Sequence, residues 1–191
     1  MDIKKLSATV QPYRWGDTYY IPQLLQKRAT SKPQAELWMG THPQGPSSIK
    51  GEELSLQEYL ESNPEEILGP SHLQRFGISL PFLFKVLAIN EPLSLQVHPS
   101  SALAKEGFAL EAIEREHTDP SLLNYKDDKQ KDEVLYALTP VTAMVGFKSI
   151  EDIRSSFTQF LPDPSLLFGE ETSVETFFLS LLKLEGEQKH E

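Results

Sequence analysis

Leu93-Ser94-Leu95-Gln96-Val97-His98-Pro99 alternates apolar and polar side chains without a break and stops at a proline. In a strand, successive side chains point to opposite faces, so this stretch predicts Leu93, Leu95 and Val97 in a core and Ser94, Gln96 and His98 on the other face. That second face carries an amide oxygen and an imidazole two residues apart, which is metal-ligand spacing.

Just upstream, Leu80 to Ile89 (LPFLFKVLAI) is apolar on both faces except at Lys85, the pattern of a buried central strand, and Asn90-Glu91-Pro92 turns it into the Ser-Gln-His segment. A lysine inside such a strand needs a partner, either a carboxylate or an anionic ligand. Further back, residues 7 to 22 mix β-formers with Pro12, Gly16 and Pro22 around Tyr13-Arg14-Trp15-Gly16, which predicts short strands and turns. Ala35 to Pro43 (AELWMGTHP) reads as a strand broken at Pro43 and followed by a Gly/Pro/Ser loop through Ser48. Ser55-Leu56-Gln57-Glu58 has the form of a capping box opening a short helix, and Asn63-Pro64 opens a second that Gly69-Pro70 stops.

Downstream, Ser100 or Ser101 caps a helix expected to reach about His117. Asn124 to Asp132 is heavily charged, and strands are expected over Val134 to Leu138 and Val141 to Phe147. Ser149 with Asp152 predicts a helix to about Leu161, and Thr172 with Glu175 predicts a second from Ser173 to about Glu185, before the polar end at 186–191.

The 191 residues suit one core plus an appendage, and 39% hydrophobic with 24% charged residues is ordinary for a soluble globular chain. Eighteen Lys and Arg against 28 Asp and Glu give a formal charge of −10, which repels nucleic acid and anionic membrane. An anionic small substrate therefore needs a local basic pocket. There is no cysteine, so a metal has to find its ligands among His, Glu, Asp or Gln. No apolar stretch reaches membrane-spanning length and the N-terminus leads into no signal-peptide run, so a cytoplasmic address is the expectation.

Gln96, His98 and Glu133 form the candidate metal set. Imidazole nitrogen and carboxylate oxygen suit Zn²⁺, and an amide oxygen is a weaker ligand that leaves the ion more Lewis acidic. From spacing alone, a polar strand face is more often simply solvated, and both readings stand at this point. Lys85 and Lys131 are the candidate cations, although Lys131 also fits a solvated run from Lys126. Trp15 suits either a sugar ring or a core. His42, His72, His117 and His190 lack paired spacing and read as structural or solvated. No glycine-rich phosphate loop, Gly-x-Ser-x-Gly elbow or His-Glu-x-x-His motif is present.

Several of these segments together resemble the type I mannose-6-phosphate isomerases, zinc enzymes of the cupin fold. The matching stretches are Tyr13 to Gly16, Ala35 to Pro43 with Gly45-Pro46-Ser47, Leu80 to Leu87, Leu93 to Pro99, Tyr125 to Asp128 and Ala137 to Phe147. They occur in family order over about residues 10 to 150. The resemblance implies a mainly β fold with α: a cupin-type jelly-roll β-barrel portion over 1–148, then a helical segment over 149–191. It implies Zn²⁺ as cofactor, with Gln96, His98 and Glu133 as three of four ligands; the fourth, a histidine, and a catalytic arginine fall further downstream in the family. It places Trp15, Lys85, Ser94 and Lys131 against a small sugar phosphate, with Lys85 and Lys131 as the catalytic pair. Where the family usually reads Asn-His-Lys-Pro-Glu, this chain has Lys129-Gln130-Lys131-Asp132-Glu133, which keeps the Lys and Glu and loses the histidine and the rigid proline.

The implied activity is interconversion of mannose 6-phosphate and fructose 6-phosphate through an enediol, without nucleic acid or membrane partners. The rival is a non-catalytic remnant or truncated fragment of such an enzyme with an incomplete metal site, which the missing downstream ligands and Gln130 favour. A metal-dependent cupin oxygenase is disfavoured, because Gln96 replaces the imidazole of a His-x-His iron set.

Overall fold

The computed structural model describes residues 3–119, 122–125, 127–160, 163, 165, 167–169 and 172–184. The chain divides into two compact units, Met1–Lys131 and Asp132–Glu191.

In the first unit, β1 (Leu6–Ser7) pairs antiparallel with β4 (Ser48–Ile49), and β2 (Thr9–Gln11), β3 (Glu36–Met39) and β5 (Phe84–Leu87) form a second antiparallel sheet in the order β2-β3-β5. In the three-stranded sheet Val10, Leu37 and Val86 lie opposite one another, and so do Thr9, Trp38 and Lys85. The strand period of two sends the first set to one face and the second to the other. Leu37 packs with Ile21 of α1 (Tyr20–Leu24) and with Ala88, and Val10, Met39 and Val86 close around them. One face of the sheet is thus core, and the opposite face is left for Glu36, Trp38 and Lys85.

Gly16 sits against Ala35 so closely that a Cβ there would lie 2.5 Å from the Ala35 backbone. This approach lets Gly16 bridge to Ile89 and lets the Trp15 carbonyl accept from the N–H groups of Asn90 and Glu91, tying the N-terminal turn to the end of β5. Three short helices follow β4: α2 (Leu56–Ser62), α3 (Pro64–Leu68) and α4 (Pro70–Phe76). The capping box is complete, since Ser55 Oγ accepts from the Glu58 N–H and Glu58 accepts from the Ser55 N–H. Gly69, at φ +78°, ends α3, and Pro70 then starts α4, a helix the sequence reading did not anticipate. The helix capped by Ser100, α5 (Ser101–Leu110), stops short of His117, and a separate 3₁₀ turn spans Glu114–Glu116.

The second unit holds α6 (Ile150–Thr158) and α7 (Val174–Leu182), packed through Ile153, Leu167, Phe168 and Phe177, with the Phe168 and Phe177 rings stacked at 5.0 Å. Ser149 caps α6 as expected. The cap of α7 is Ser173, one residue later than expected, because the Thr172 hydroxyl is engaged on the backbone of Gly169. Lys126 and the polar end at 186–191 lie outside the described residues.

Four expectations require correction. The described residues contain more helix than strand, in a mixed α/β arrangement with two small antiparallel sheets and no closed barrel, rather than a mainly β body. Residues 93–99 form no strand, and Leu95 and Val97 are 86% and 91% exposed. Residues 134–138 and 141–147 are likewise without strand pairing, with Val134 fully exposed. Alternation selects a face, but a strand exists only where a neighbour supplies N–H and C=O partners, and none of the described strands pairs with these segments. Finally, β5 is a short edge strand with Phe82 and Phe84 exposed, not a buried central one.

Candidate active site

On the polar face of the β2-β3-β5 sheet, Glu36 is the organising residue. Only 7% exposed, it accepts a hydrogen bond from Trp38 Nε1, two residues along the same strand, and lies 3.3 Å from Lys85 Nζ on the neighbouring one. The Lys85 ammonium also stands 5.2 Å from the centre of the Trp38 ring, where the negative π face attracts it. The sequence asked for a partner to Lys85, and the carboxylate of Glu36 is that partner.

The loop after β3 folds back over this face. Thr9 Oγ1 donates to the Pro46 carbonyl at 2.9 Å, and Ser47, fully buried, accepts from the Gly40 N–H at 3.1 Å and donates to the Trp38 carbonyl at 3.3 Å. Gly45 leaves no space for a Cβ against Gln11, Thr9 and Trp38. The loop is thereby pressed onto the sheet, and the His42 ring rests edge-on against Trp38 at 4.8 Å. His42 Nδ1 accepts from the Gln44 N–H at 3.2 Å, so in the neutral ring the proton sits on Nε2.

Lys131 arrives by a different route. The Glu111 carboxylate at the end of α5 accepts from the N–H groups of Asn124 and Tyr125, each at 3.0 Å, and those bonds hold it below the usual glutamate range. Arg115 donates to the Tyr125 carbonyl at 2.7 Å, and Gly107 gives the Tyr125 ring a place to lie against α5. With residues 122–125 so fixed, the following turn presents Asp127, which accepts from Lys131 Nζ and from the Lys129 N–H at 2.9 Å. Burial works to raise the Asp127 pKa, but the hydrogen bonds and charges of Lys131 and Lys129 outweigh it and hold the carboxyl low.

His42 sits within the field of both groups. Burial lowers its pKa most; Asp127 opposes that, and Lys131, Lys85 and Lys129 reinforce it. The imidazole is therefore kept neutral below the ordinary 6.5. The unfolded chain keeps that ordinary value, so between it and the lower folded value the unfolded state binds more protons, and acidification through this window costs stability. An NMR titration of His42 is expected to give a midpoint below 6.5, moved upward by Lys131→Met, which deletes one of the cations that lower it and one of the two partners of Asp127. A midpoint at or above 6.5 in the unaltered chain contradicts this electrostatic picture.

The remaining sequence candidates are placed as follows. Trp15 stacks on Tyr13 at 6.0 Å, and burial, followed by the charge of Glu36, pushes the Tyr13 phenol up. Ser94, Gln96 and His98 lie in the exposed segment without regular structure after β5, and Glu133 is exposed near the start of the second unit. Among the described residues, no group of three or more His, Asp or Glu side chains is gathered for a metal; the expected set contains two such residues and an amide. The charges of Lys85 and Lys131 both act on the imidazole of His42, a residue the sequence reads as structural or solvated. Of the other histidines, His72 Nε2 lies 3.1 Å from the Ser79 carbonyl, His117 is exposed and His190 is outside the described residues. Glu36, His42 and Asp127 were missed. The signal for Glu36 was its position two residues before Trp38, on the same face of one strand.

Residues 3–150 match the model for the catalytic domain of type I phosphomannose isomerase. The chain belongs to this family. The mannose-6-phosphate isomerase of Escherichia coli is 37% identical over 98% of this chain and 50% of its own length, and the human one 36% identical over 88% and 40%. A crystal structure of the Salmonella typhimurium mannose 6-phosphate isomerase, bound to fructose 6-phosphate and zinc, superposes with a TM-score of 0.77 at 38% identity, covering 98% of this chain and 49% of that one. The chain thus spans about half the length of these phosphomannose isomerases.

Proposed function

We propose that this chain carries the catalytic-domain part of a zinc-dependent aldose–ketose isomerase that interconverts mannose 6-phosphate and fructose 6-phosphate through an enediol. The observation that carries the reading is the polar sheet face, where Lys85 is locked by Glu36 and Trp38 beneath the His42 ring, with Lys131, locked by Asp127, acting electrostatically on the same imidazole, in a chain of this family. The two ammonium groups have fixed places but retain further N–H donors, so they hold substrate oxygens without being drawn away from the site. In this reading Lys131 and Lys85 are the catalytic pair: one, as the free amine, takes the proton from C1 or C2 and, as the ammonium so formed, returns it to the neighbouring carbon, while the other stays an ammonium and holds the oxygens. Trp15 and Ser94 complete the contacts to the sugar phosphate.

Gln96, His98 and Glu133 are proposed as metal ligands. An amide oxygen, an imidazole nitrogen and a carboxylate oxygen are a donor set that suits Zn²⁺. When bound, the ion supplies Lewis acidity toward carbonyl and hydroxyl oxygens. The cupin-type jelly-roll portion, the division at 148/149 and a cytoplasmic address belong to the same reading.

A coupled isomerase assay with metal analysis on the purified chain tests it. Turnover with stoichiometric zinc is the expected result, and absence of both supports a non-catalytic fragment. Gln96→Ala and His98→Ala are each expected to lose the bound zinc, whereas full metal content in both variants contradicts the ligand assignment.

A further inference from the structure

Gly107, Glu111 and Arg115 follow one another at four-residue spacing. The Glu111 N–H bonds to the Gly107 carbonyl and the Arg115 N–H to the Glu111 carbonyl, each at 3.0 Å, so the three stand one turn above another along one side of α5 and its extension. All three converge on Tyr125. Gly107 leaves no space for a Cβ against the Tyr125 ring, the Glu111 carboxylate accepts from the Tyr125 N–H at 3.0 Å, and Arg115 donates to the Tyr125 carbonyl at 2.7 Å. The same carboxylate accepts from the Asn124 side-chain amide at 2.9 Å, and the Arg115 guanidinium is braced 4.1 Å from the centre of the Phe108 ring. Ring, donor and acceptor of one residue are each held by a different member of the stripe. Lys131 Nζ, by contrast, bonds within its own turn, to Asp127 and, at 3.3 Å, to the Lys129 carbonyl. A turn closed on itself in this way carries its ammonium as a unit, and the ammonium stands where the anchor puts it.

We propose that the Gly107–Glu111–Arg115 stripe is a socket for Tyr125 that places Lys131, with Glu111 as its principal positioning residue. Glu111 grips both Asn124 and Tyr125, so its loss frees the entry to the Asp127 turn. This role rests on the reading of Lys131 as one of the catalytic pair, through which alone the socket acts on the reaction.

The test is a pair of double-mutant cycles. In the first, the His42 midpoint is followed by NMR: the upward displacement caused by Lys131→Met is expected to shrink by about half or more in Glu111→Ala and in Gly107→Ala, and to stay whole in Glu106→Gln, a change of an exposed acid on the same helix. Gly107→Ala favours the helix and keeps Glu111 and Arg115, so it attacks the socket from the side of the ring alone. The Trp38 indole signal reports a folded sheet face in each variant. In the second cycle, kcat with zinc present is expected to fall about tenfold or more in Glu111→Ala with KM little changed, and to fall no further when Glu111→Ala is added to Lys131→Met. An undiminished His42 displacement in both socket variants, or turnover losses of Glu111→Ala and Lys131→Met that simply multiply, would overturn the role. Retained turnover in Lys131→Met instead contradicts the catalytic reading of that lysine, and the His42 cycle then decides the placement by itself.

Discussion

Glu36→Ala is expected to destabilise the first unit by about 3 kcal/mol, the lower end of what breaking a buried ion pair costs. The change leaves Trp38 Nε1 without its acceptor and the Lys85 ammonium without its carboxylate. The Lys85 side chain is 29% exposed and can recover some hydration, which sets the figure at the low end. Glu36→Gln keeps an acceptor for Trp38 and the same volume, so it is expected to lose less than half as much. Denaturant unfolding of the two variants checks this. Equal midpoints for Glu36→Ala and the unaltered chain contradict the view that Glu36 organises the sheet face.

Lys131→Met is expected to lower isomerase turnover by about 100-fold or more, the range associated with removing a positioned proton-transfer group. Lys131 reaches its place through Asp127 and the residues clamped by Glu111 and Arg115, and its side chain is 40% exposed. Its loss therefore removes function without opening a cavity. Steady-state kinetics with a parallel unfolding curve separates the two effects. A variant that retains most of its turnover shows that Lys131 does not act on the substrate, and one that loses turnover only by unfolding makes it structural.

The sequence disclosed the parts of this site that rest on local chemistry. Ser55, Ser100 and Ser149 announce helices because a hydroxyl next to free N–H groups acts over three residues, and each caps as expected. Lys85 disclosed its need for a counter-charge because an ammonium in an apolar strand is costly alone. Pairing was not legible. Leu93 to Pro99 has the alternation of a strand, yet nothing in those seven letters says which segment would supply its hydrogen bonds, and the segment forms no strand, with Ser94 to His98 exposed. His42 was passed over because no ligand stands at paired spacing from it in sequence. Its significance comes from Lys85 and the Asp127 turn, both distant along the chain, and from a loop pressed onto Trp38 by Ser47 and Thr9. Family motifs point to Lys85 and Lys131 as a pair, whereas the carboxylates that fix them, Glu36 and Asp127, had to be read from the structure.

The most direct test of the claim that the polar face of the β2-β3-β5 sheet receives the sugar phosphate is an NMR titration of the chain with fructose 6-phosphate, observed at its two indole N–H signals. Trp15 and Trp38 are the only tryptophans, so Trp15→Phe assigns both. Saturable movement of the Trp38 indole, abolished by Lys85→Met, is the expected result. A Trp38 signal that stays still while substrate binds elsewhere on the chain would contradict the account.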